Sequence, residues 1–323
     1  MEPDVLLSII FQSVIGIVGI PGNCLIIFVY SKKRLTMSPH VFIFGLAITD
    51  LGSCLFTPAI IFQRLASYES DFLCRSVTFV NFVSVYLSAF LSTSIVVDRY
   101  LAICRPLLRW MTVRRAQIVV ACCVLSSVVV SIPVFVSYKM VSFKTDSKPQ
   151  RACTFDNDYS FFQALMLILL YTVSIATLCV TVIMFWKMWK AVRKRMEIFP
   201  MDTAIATTSR GHQGNVSVSY IYNHEPPVPQ HVVRIASKTN KTTKMLLAAS
   251  SIFFFTWAIA LCTLSIPRST LSKVKARSDV GFVIIKILNI TFYINHAINP
   301  FIYGLINRRF REKCQTYLSC CKQ

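Results

Sequence analysis

The sequence predicts an all-α membrane protein: a seven-transmembrane helix bundle followed by a short amphipathic eighth helix. Three observations carry that prediction. Of 323 residues, 54% are hydrophobic and 15% are charged, against about 25% charged in an ordinary soluble domain. The apolar residues gather into seven blocks, each long enough to cross a bilayer, which takes about 20 mostly apolar residues in a row. The 34 lysines and arginines concentrate in the segments that flank those blocks.

Taken in order, the first block covers residues 5–30. It has no basic segment before it and no small-residue cleavage site, so it is expected to be an uncleaved signal anchor with residues 1–4 outside the membrane. The blocks at 38–65, 74–104, 116–138, 160–186, 243–266 and 280–304 follow. Each is expected to be a helix, because an open strand would leave backbone groups unsatisfied in hydrocarbon. The third and seventh are the least uniform, since they carry Asn81, Asp98 and Arg99, and Asn289, Asn295 and Asn299. Polar side chains at membrane depth face a bundle interior or a water-filled cavity, and mark a functional site by default. Residues 5–304 are thus expected to form the bundle, and 305–323 the amphipathic helix and tail.

The one long connection, residues 190–240, is polar and contains "HEPPVPQH", His224 to His231. Its prolines stop a continuous helix, and its middle is expected to be flexible. Its two ends, Lys187 to Arg195 and Lys238 to Lys244, are basic and extend the flanking helices. No internal repeat of the kind common in transporters is present.

An odd number of spans places the termini on opposite sides. Short basic segments such as "SKKR" (Ser31 to Arg34) and "RRFREK" (Arg308 to Lys313) fall on the carboxy-terminal side. By the positive-inside rule, that side is cytoplasmic and the amino terminus is outside, in the plasma membrane. The net charge of +20 therefore reads as topology and contact with anionic membrane lipids, with no basic stripe suited to nucleic acid. Of the sequons at Asn215, Asn240 and Asn289, two fall on the cytoplasmic side and one inside a span, so no N-glycan is expected.

The same topology sorts the twelve cysteines. Cys74 and Cys153 alone lie beyond the membrane on the oxidising side, and are the pair able to persist as a disulfide. Cys314, Cys320 and Cys321 follow the last span on the cytoplasmic side, where palmitoylation is expected at Cys320 and Cys321. The others read as small packing residues.

Arg99 follows Cys74 by 25 residues, roughly 37 Å of helix, or one hydrocarbon thickness with some interface. One helix therefore joins a disulfide at its outer end to an acid–arginine pair at its inner end. Here the chain resembles the rhodopsin-like class of G-protein-coupled receptors over nearly its whole length. The motifs, in order, are Gly22–Asn23, "LAITD" ending at Asp50, "DRY" (Asp98, Arg99, Tyr100), Phe253 with Trp257, and "NPFIY" (Asn299 to Tyr303), with "NRRFREK" (Asn307 to Lys313) after them. Phe310 is the apolar anchor of that last segment.

The resemblance implies roles. Asp98, Arg99, Tyr100, Phe253, Trp257, Asn299, Pro300 and Tyr303 form an activation switch, in which Arg99 cannot lose its charge and is held at rest by Asp98. Arg99, Pro106 and Leu107 contact the G protein. Asp50, Ser88, Asn295, Asn299 and Trp257 match the family's pocket for an allosteric sodium ion, where oxygen ligands suit a hard cation; a hydrogen-bonded network with water alone is the alternative. Pro300 is expected to break the seventh helix. No other metal and no cofactor is implied.

The chain also departs from the family. Its sixth span has "TWAI", Thr256 to Ile259, without the kinking proline; its fifth has neither the family's proline nor a tyrosine after Tyr171; its fourth has Cys123 or Val124 about where a tryptophan is usual. Thr239 stands where an acid would bind Arg99. Arg99 is then held by Asp98 nearly alone, and appreciable basal activity is expected.

Asn81, seven residues after Cys74, replaces the aspartate of amine receptors, and Tyr293 stands where opsins carry their lysine. Asn81, Val85, Tyr86, Trp257, Phe292 and Tyr293 are the expected ligand pocket. Arg268, Lys273, Lys275, Arg277 and Lys286 make the third outer loop basic, and the residues before Cys153 are long enough for a hairpin over the pocket. The expected function is a receptor that binds an extracellular ligand, with a peptide favoured, and activates a heterotrimeric G protein, with arrestin as a further partner. The alternatives are a lipid or small-molecule receptor, a receptor-like protein that does not signal, and a transporter. An enzyme is not expected: His296, the histidine of the seventh span, has no metal-ligand spacing around it and reads as a packed residue bonded to a neighbour.

Overall fold

The computed structural model describes residues 3–31, 37–65, 70–106, 110–143, 150–155, 160–198, 230–306, 310–312 and 314–316. Six helices in it are long and apolar enough to cross a membrane, and a bent pair supplies a seventh span. They are α1 (Pro3–Ser31), α2 (Ser38–Leu65), α3 (Asp71–Cys104), α4 (Val113–Ser137), α5 (Ser160–Ile198) and α6 (Gln230–Leu264), with α8 (Asp279–Asn289) and α9 (Asn295–Ile306) sharing the last crossing. Burial in the bundle is inverted relative to a soluble protein. Ile17, Leu125 and Val280 are exposed around the outside, whereas Asn23, Asp50 and Ser88 are buried in the middle. Only an apolar solvent makes that arrangement stable.

Local chemistry sets the helix ends. Ser70 caps α3, its hydroxyl accepting from the Leu73 amide at 3.4 Å, and Asp71 places a negative charge at the positive end of the helix. Thr112 caps α4 in the same way through the Arg115 amide. α6 begins at Gln230, immediately after the Pro-rich run, consistent with proline's bar on helix continuation.

α3 lies at the centre, packed against α2, α4, α5 and α6, while α1 packs against α2 and α9. Between α4 and α5, strands β1 (Tyr138–Phe143) and β2 (Gln150–Phe155) form an antiparallel hairpin with Met140 opposite Cys153. The Cys74–Cys153 disulfide ties β2 to α3, with the two Cα atoms 5.6 Å apart. The Met140 amide also donates to Asp71 Oδ1 at 2.9 Å, so the hairpin is held to the start of α3 at two points.

Two expectations need correction. The seventh span is broken, but not at Pro300: α9 runs through that residue, and the break is a 3-10 turn at Thr291–Ile294, with a 44° bend. The third connection on the disulfide side was expected as a basic loop and is a helix, α7 (Arg268–Arg277). Its start follows Pro267, whose fixed φ suits the entry to a helix. Beyond α9, residues 310–312 and 314–316 are helical, and Phe310 is buried with its ring 6.5 Å from that of Tyr303.

Candidate functional site

Proline at 300 removes the N–H that would have bonded the carbonyl of His296, four residues earlier. A buried carbonyl needs a donor, and this one takes it from α1: Asn23 Nδ2 donates to the His296 carbonyl at 2.7 Å and to the Gly19 carbonyl at 3.0 Å. Gly19 and Gly22 permit the approach. A Cβ at Gly22 would stand 2.6 Å from Pro300 Cγ, and one at Gly19 would stand 2.4 Å from Cys54 Sγ and 3.1 Å from the His296 carbonyl oxygen. Pro300 therefore acts as a docking point between α1 and α9 rather than as a helix break.

The His296 side chain faces the other way, onto α2. Asp50 is 1% exposed, and both its oxygens are engaged. Oδ1 lies 2.9 Å from His296 Nδ1, and Oδ2 accepts from Asn299 Nδ2 at 2.7 Å. A carboxylate only accepts, so Nδ1 carries the hydrogen. Asn299 joins Asp50 as the sequence implied. Asn295 does not: its amide donates to Thr256 Oγ1 at 2.8 Å and to the Phe292 carbonyl at 2.9 Å. Thr256, which belongs to the departing "TWAI" stretch, is what draws Asn295 toward α6.

Asp50, Ser88, Asn295, Asn299 and Tyr303 line an enclosed cavity of about 10 Å³, together with Ser92, Ser250 and Phe253. Ser88 Oγ, Asn295 Oδ1 and the Tyr303 hydroxyl have no protein partner among the described residues. The space is about that of one water molecule, and Asp50, Ser88 and Asn295 bring oxygen atoms to it. The space fits one water, whereas a small cation would have to share Asp50 with the His296 and Asn299 N–H groups. Trp257, grouped with this pocket by sequence, does not line it.

Trp257 lines a second cavity of about 20 Å³ with Val85, Tyr86, Ala89, Thr177 and Phe254. Phe253 lines both cavities and is their shared wall; its ring lies 6.3 Å from that of Trp257. The rest of the expected ligand pocket sits beside this cavity. The Trp257 and Phe292 rings are 5.6 Å apart, the Phe292 and Tyr293 rings 4.2 Å, and the Tyr293 hydroxyl donates to Asn81 Oδ1 at 3.0 Å. Lys275 of α7 and Lys286 of α8 both lie over the Phe282 ring, at 5.1 and 5.4 Å from its centroid.

At the other end of α3, Arg99 is 7% exposed. Its Nε donates to Asp98 Oδ2 at 3.0 Å, and its Nη2 meets the same oxygen. The other carboxylate oxygen is not idle: Ser38, the first residue of α2, donates to Asp98 Oδ1 at 2.5 Å. Among the described residues Arg99 itself is bonded to Asp98 alone, and Ser38, from a second helix, holds Asp98 in turn. Asp98, Arg99, Arg105, Pro106, Trp110 and Met111 border a cavity of about 300 Å³ at this end. Tyr100 lies beneath Lys187, whose Nζ is 5.8 Å from the ring centroid. Leu107, Cys320 and Cys321 lie outside the described residues, as does the Thr239 side chain.

Sequence reasoning missed Ser38 as a partner of Asp98 and did not name the partner of His296. The proline four residues after His296 signals only that its carbonyl needs another donor, and nothing in the sequence aims its ring at Asp50.

A family model described as 7 transmembrane receptor (rhodopsin family) matches residues 22–303. Cholecystokinin receptor type A of Homo sapiens is 25% identical across 97% of this chain and 81% of its own length. Melanin-concentrating hormone receptor 2 of Homo sapiens is 26% identical across 95% of this chain and 83% of its own length. Melanin-concentrating hormone receptor 1 of Sus scrofa is 24% identical over 95% of this chain.

Proposed function

The chain belongs to the rhodopsin family of seven-transmembrane receptors, a family of receptors and not of enzymes, and we propose that it binds an extracellular peptide at the disulfide end of the bundle and activates a heterotrimeric G protein at the Arg99 end. The observation that carries this reading is the Arg99 constellation. A permanently charged guanidinium is buried against Asp98, which Ser38 secures from α2, beside a cavity that Pro106 borders. Burying an ion pair of this kind is a weak source of stability but a good switch, because one side of it can be released.

A peptide ligand is supported by relatives that are, by name, receptors for cholecystokinin and for melanin-concentrating hormone. The basic rim of Lys275 and Lys286 beside Phe282 favours acidic groups on that ligand. Binding beside Trp257 shifts the wall that Trp257 shares with Phe253, and Phe253 borders the Asp50 cavity. From there α3, which carries Ser88 and Arg99 on one rigid element, and α9, which carries Asn299 and Tyr303, transmit the change to the Arg99 end. Asp50, Ser88, Asn295 and Asn299 are the residues a sodium ion would meet in that cavity, where it would have to compete with the N–H groups already on Asp50.

The proposed receptor sits in the plasma membrane with its disulfide end outside, a reading supported by the basic segments on the other side. Arrestin is a further partner for the opened Arg99 face. Membrane lipids meet the end of α5, where Lys190 and Arg193 lie 3.7 and 5.5 Å over the exposed rings of Trp186 and Trp189, a pairing suited to a headgroup interface. Palmitoylation at Cys320 and Cys321 would add to that anchoring.

Expression in cells against a library of acidic and neutral peptides, lipids and metabolites, read on several G-protein pathways, tests this function. A peptide response absent from Arg99→Ala at equal surface expression supports it. A response confined to lipids or metabolites overturns the peptide assignment, and silence of every ligand with no basal signal overturns the signalling role.

A further inference from the structure

We propose that His296 governs the sodium response of this receptor: by occupying Asp50 Oδ1 from within the protein, it makes the Asp50 cavity a poor sodium site. This rests on the assignment of that cavity as the ion pocket, though not on any ligand or G protein. The His296 carbonyl, left free by Pro300, accepts from Asn23 Nδ2 at 2.7 Å and from Cys54 Sγ at 3.7 Å, which fixes the backbone from which the buried ring projects. Held there by its backbone, it directs Nδ1 at Asp50 Oδ1, 2.9 Å away. An N–H presents the positive end of its dipole to the oxygen a cation would need, and does so whether the ring is neutral or charged.

Asn299 takes the other oxygen through its own N–H at 2.7 Å. Both carboxylate oxygens thus already receive a donor before any ion arrives. Asn295 cannot compensate by closing on Asp50, because Thr256 and the Phe292 carbonyl hold its amide toward α6. The remaining oxygens, Ser88 Oγ and Asn295 Oδ1, border a space of about 10 Å³, about one water's worth. An ion entering it must shed its hydration shell and compete with the His296 N–H for the electron density of Oδ1. A small residue at 296 would lift the second requirement and expose Oδ1.

The test is the thermal midpoint of the purified, unliganded full-length receptor, titrated with sodium chloride against choline chloride at matched ionic strength. Wild type is expected to show no sodium-specific shift. His296→Ser is expected to be stabilised by sodium, with half-saturation at a concentration roughly tenfold or more below any that wild type shows, the ratio expected for losing a competing hydrogen bond to a charged group. His296→Gln, which retains a donor, is expected to stay unresponsive, and Asp50→Asn with His296→Ser is expected to lose the shift. A wild type stabilised by sodium as strongly as His296→Ser overturns the proposal, as does a His296→Ser receptor that folds and ignores sodium. If that variant does not fold, wild type decides alone: a sodium-specific shift removed by Asp50→Asn overturns the proposal, and its absence supports it. Because the readout needs no ligand, a failure here is distinct from a failure of the signalling assay.

Discussion

Asp98 accepts Arg99 on one oxygen and Ser38 on the other, so the resting hold on Arg99 depends on a hydroxyl supplied by α2. A hydrogen bond to a charged group contributes about 1.5–3 kcal/mol. Ser38→Ala is therefore expected to loosen Asp98 and raise ligand-independent signalling several-fold, with Arg99→Ala silent; equal basal signals from Ser38→Ala and wild type would contradict the hold. Asn23→Ala is expected to leave the His296 carbonyl with only the weak Cys54 Sγ donor at 3.7 Å, at about 1–3 kcal/mol, and to lower the thermal midpoint in detergent. The importance of Asp98, Arg99, Asp50 and Asn299 was legible in the sequence, because each is polar where its neighbours are apolar. Ser38 was not, since a serine at a helix start is common and its partner lies 60 residues away. Nor was the orientation of Asn295, which depends on a threonine from another helix.

At the scale of elements, apolar length announces a span and proline announces a departure, but only packing decides what the departure is. Six spans follow from composition alone. The seventh contains Pro300, the expected break, yet α9 continues through it because Asn23 satisfies the carbonyl that the proline frees. The real break, at Thr291–Ile294, contains no proline or glycine, only β-branched and aromatic residues whose modest helix propensity is a weak mark. The α1–α9 contact it leaves is tight enough to test. Gly22→Val places a branched side chain where even a Cβ would meet Pro300 Cγ at 2.6 Å. Overpacking of that kind costs about 1–3 kcal/mol, and reduced surface expression with a lower thermal midpoint is the expected result. A variant as stable as wild type would show that α1 can retreat from Pro300.

Across the whole molecule, two small cavities share Phe253, and the polar interior runs from Asn81 to Arg99 through an apolar exterior. Phe253→Ala is expected to merge the cavities and uncouple binding from signalling: ligand affinity falls by less than the G-protein response does, as read by radioligand binding beside second-messenger output. The basic connections also predict an orientation. An epitope at the amino terminus is expected to be stained on intact cells and one at the carboxy terminus only after permeabilisation. The reverse pattern would place Arg99 on the wrong side of the membrane for any G protein. Class and architecture were readable at this scale because lipid imposes them on composition, whereas the ligand is not, because the pocket is built from side chains contributed by several helices.

Nucleotide exchange on purified heterotrimeric G proteins, driven by the receptor reconstituted in lipid nanodiscs, tests the central claim most directly. Wild type is expected to accelerate exchange above the G protein alone, Ser38→Ala to accelerate it further without ligand, and Arg99→Ala to leave it at the background rate. Exchange that proceeds equally with wild type and Arg99→Ala, each folded by its thermal midpoint, would contradict the assignment of Arg99 as the switch.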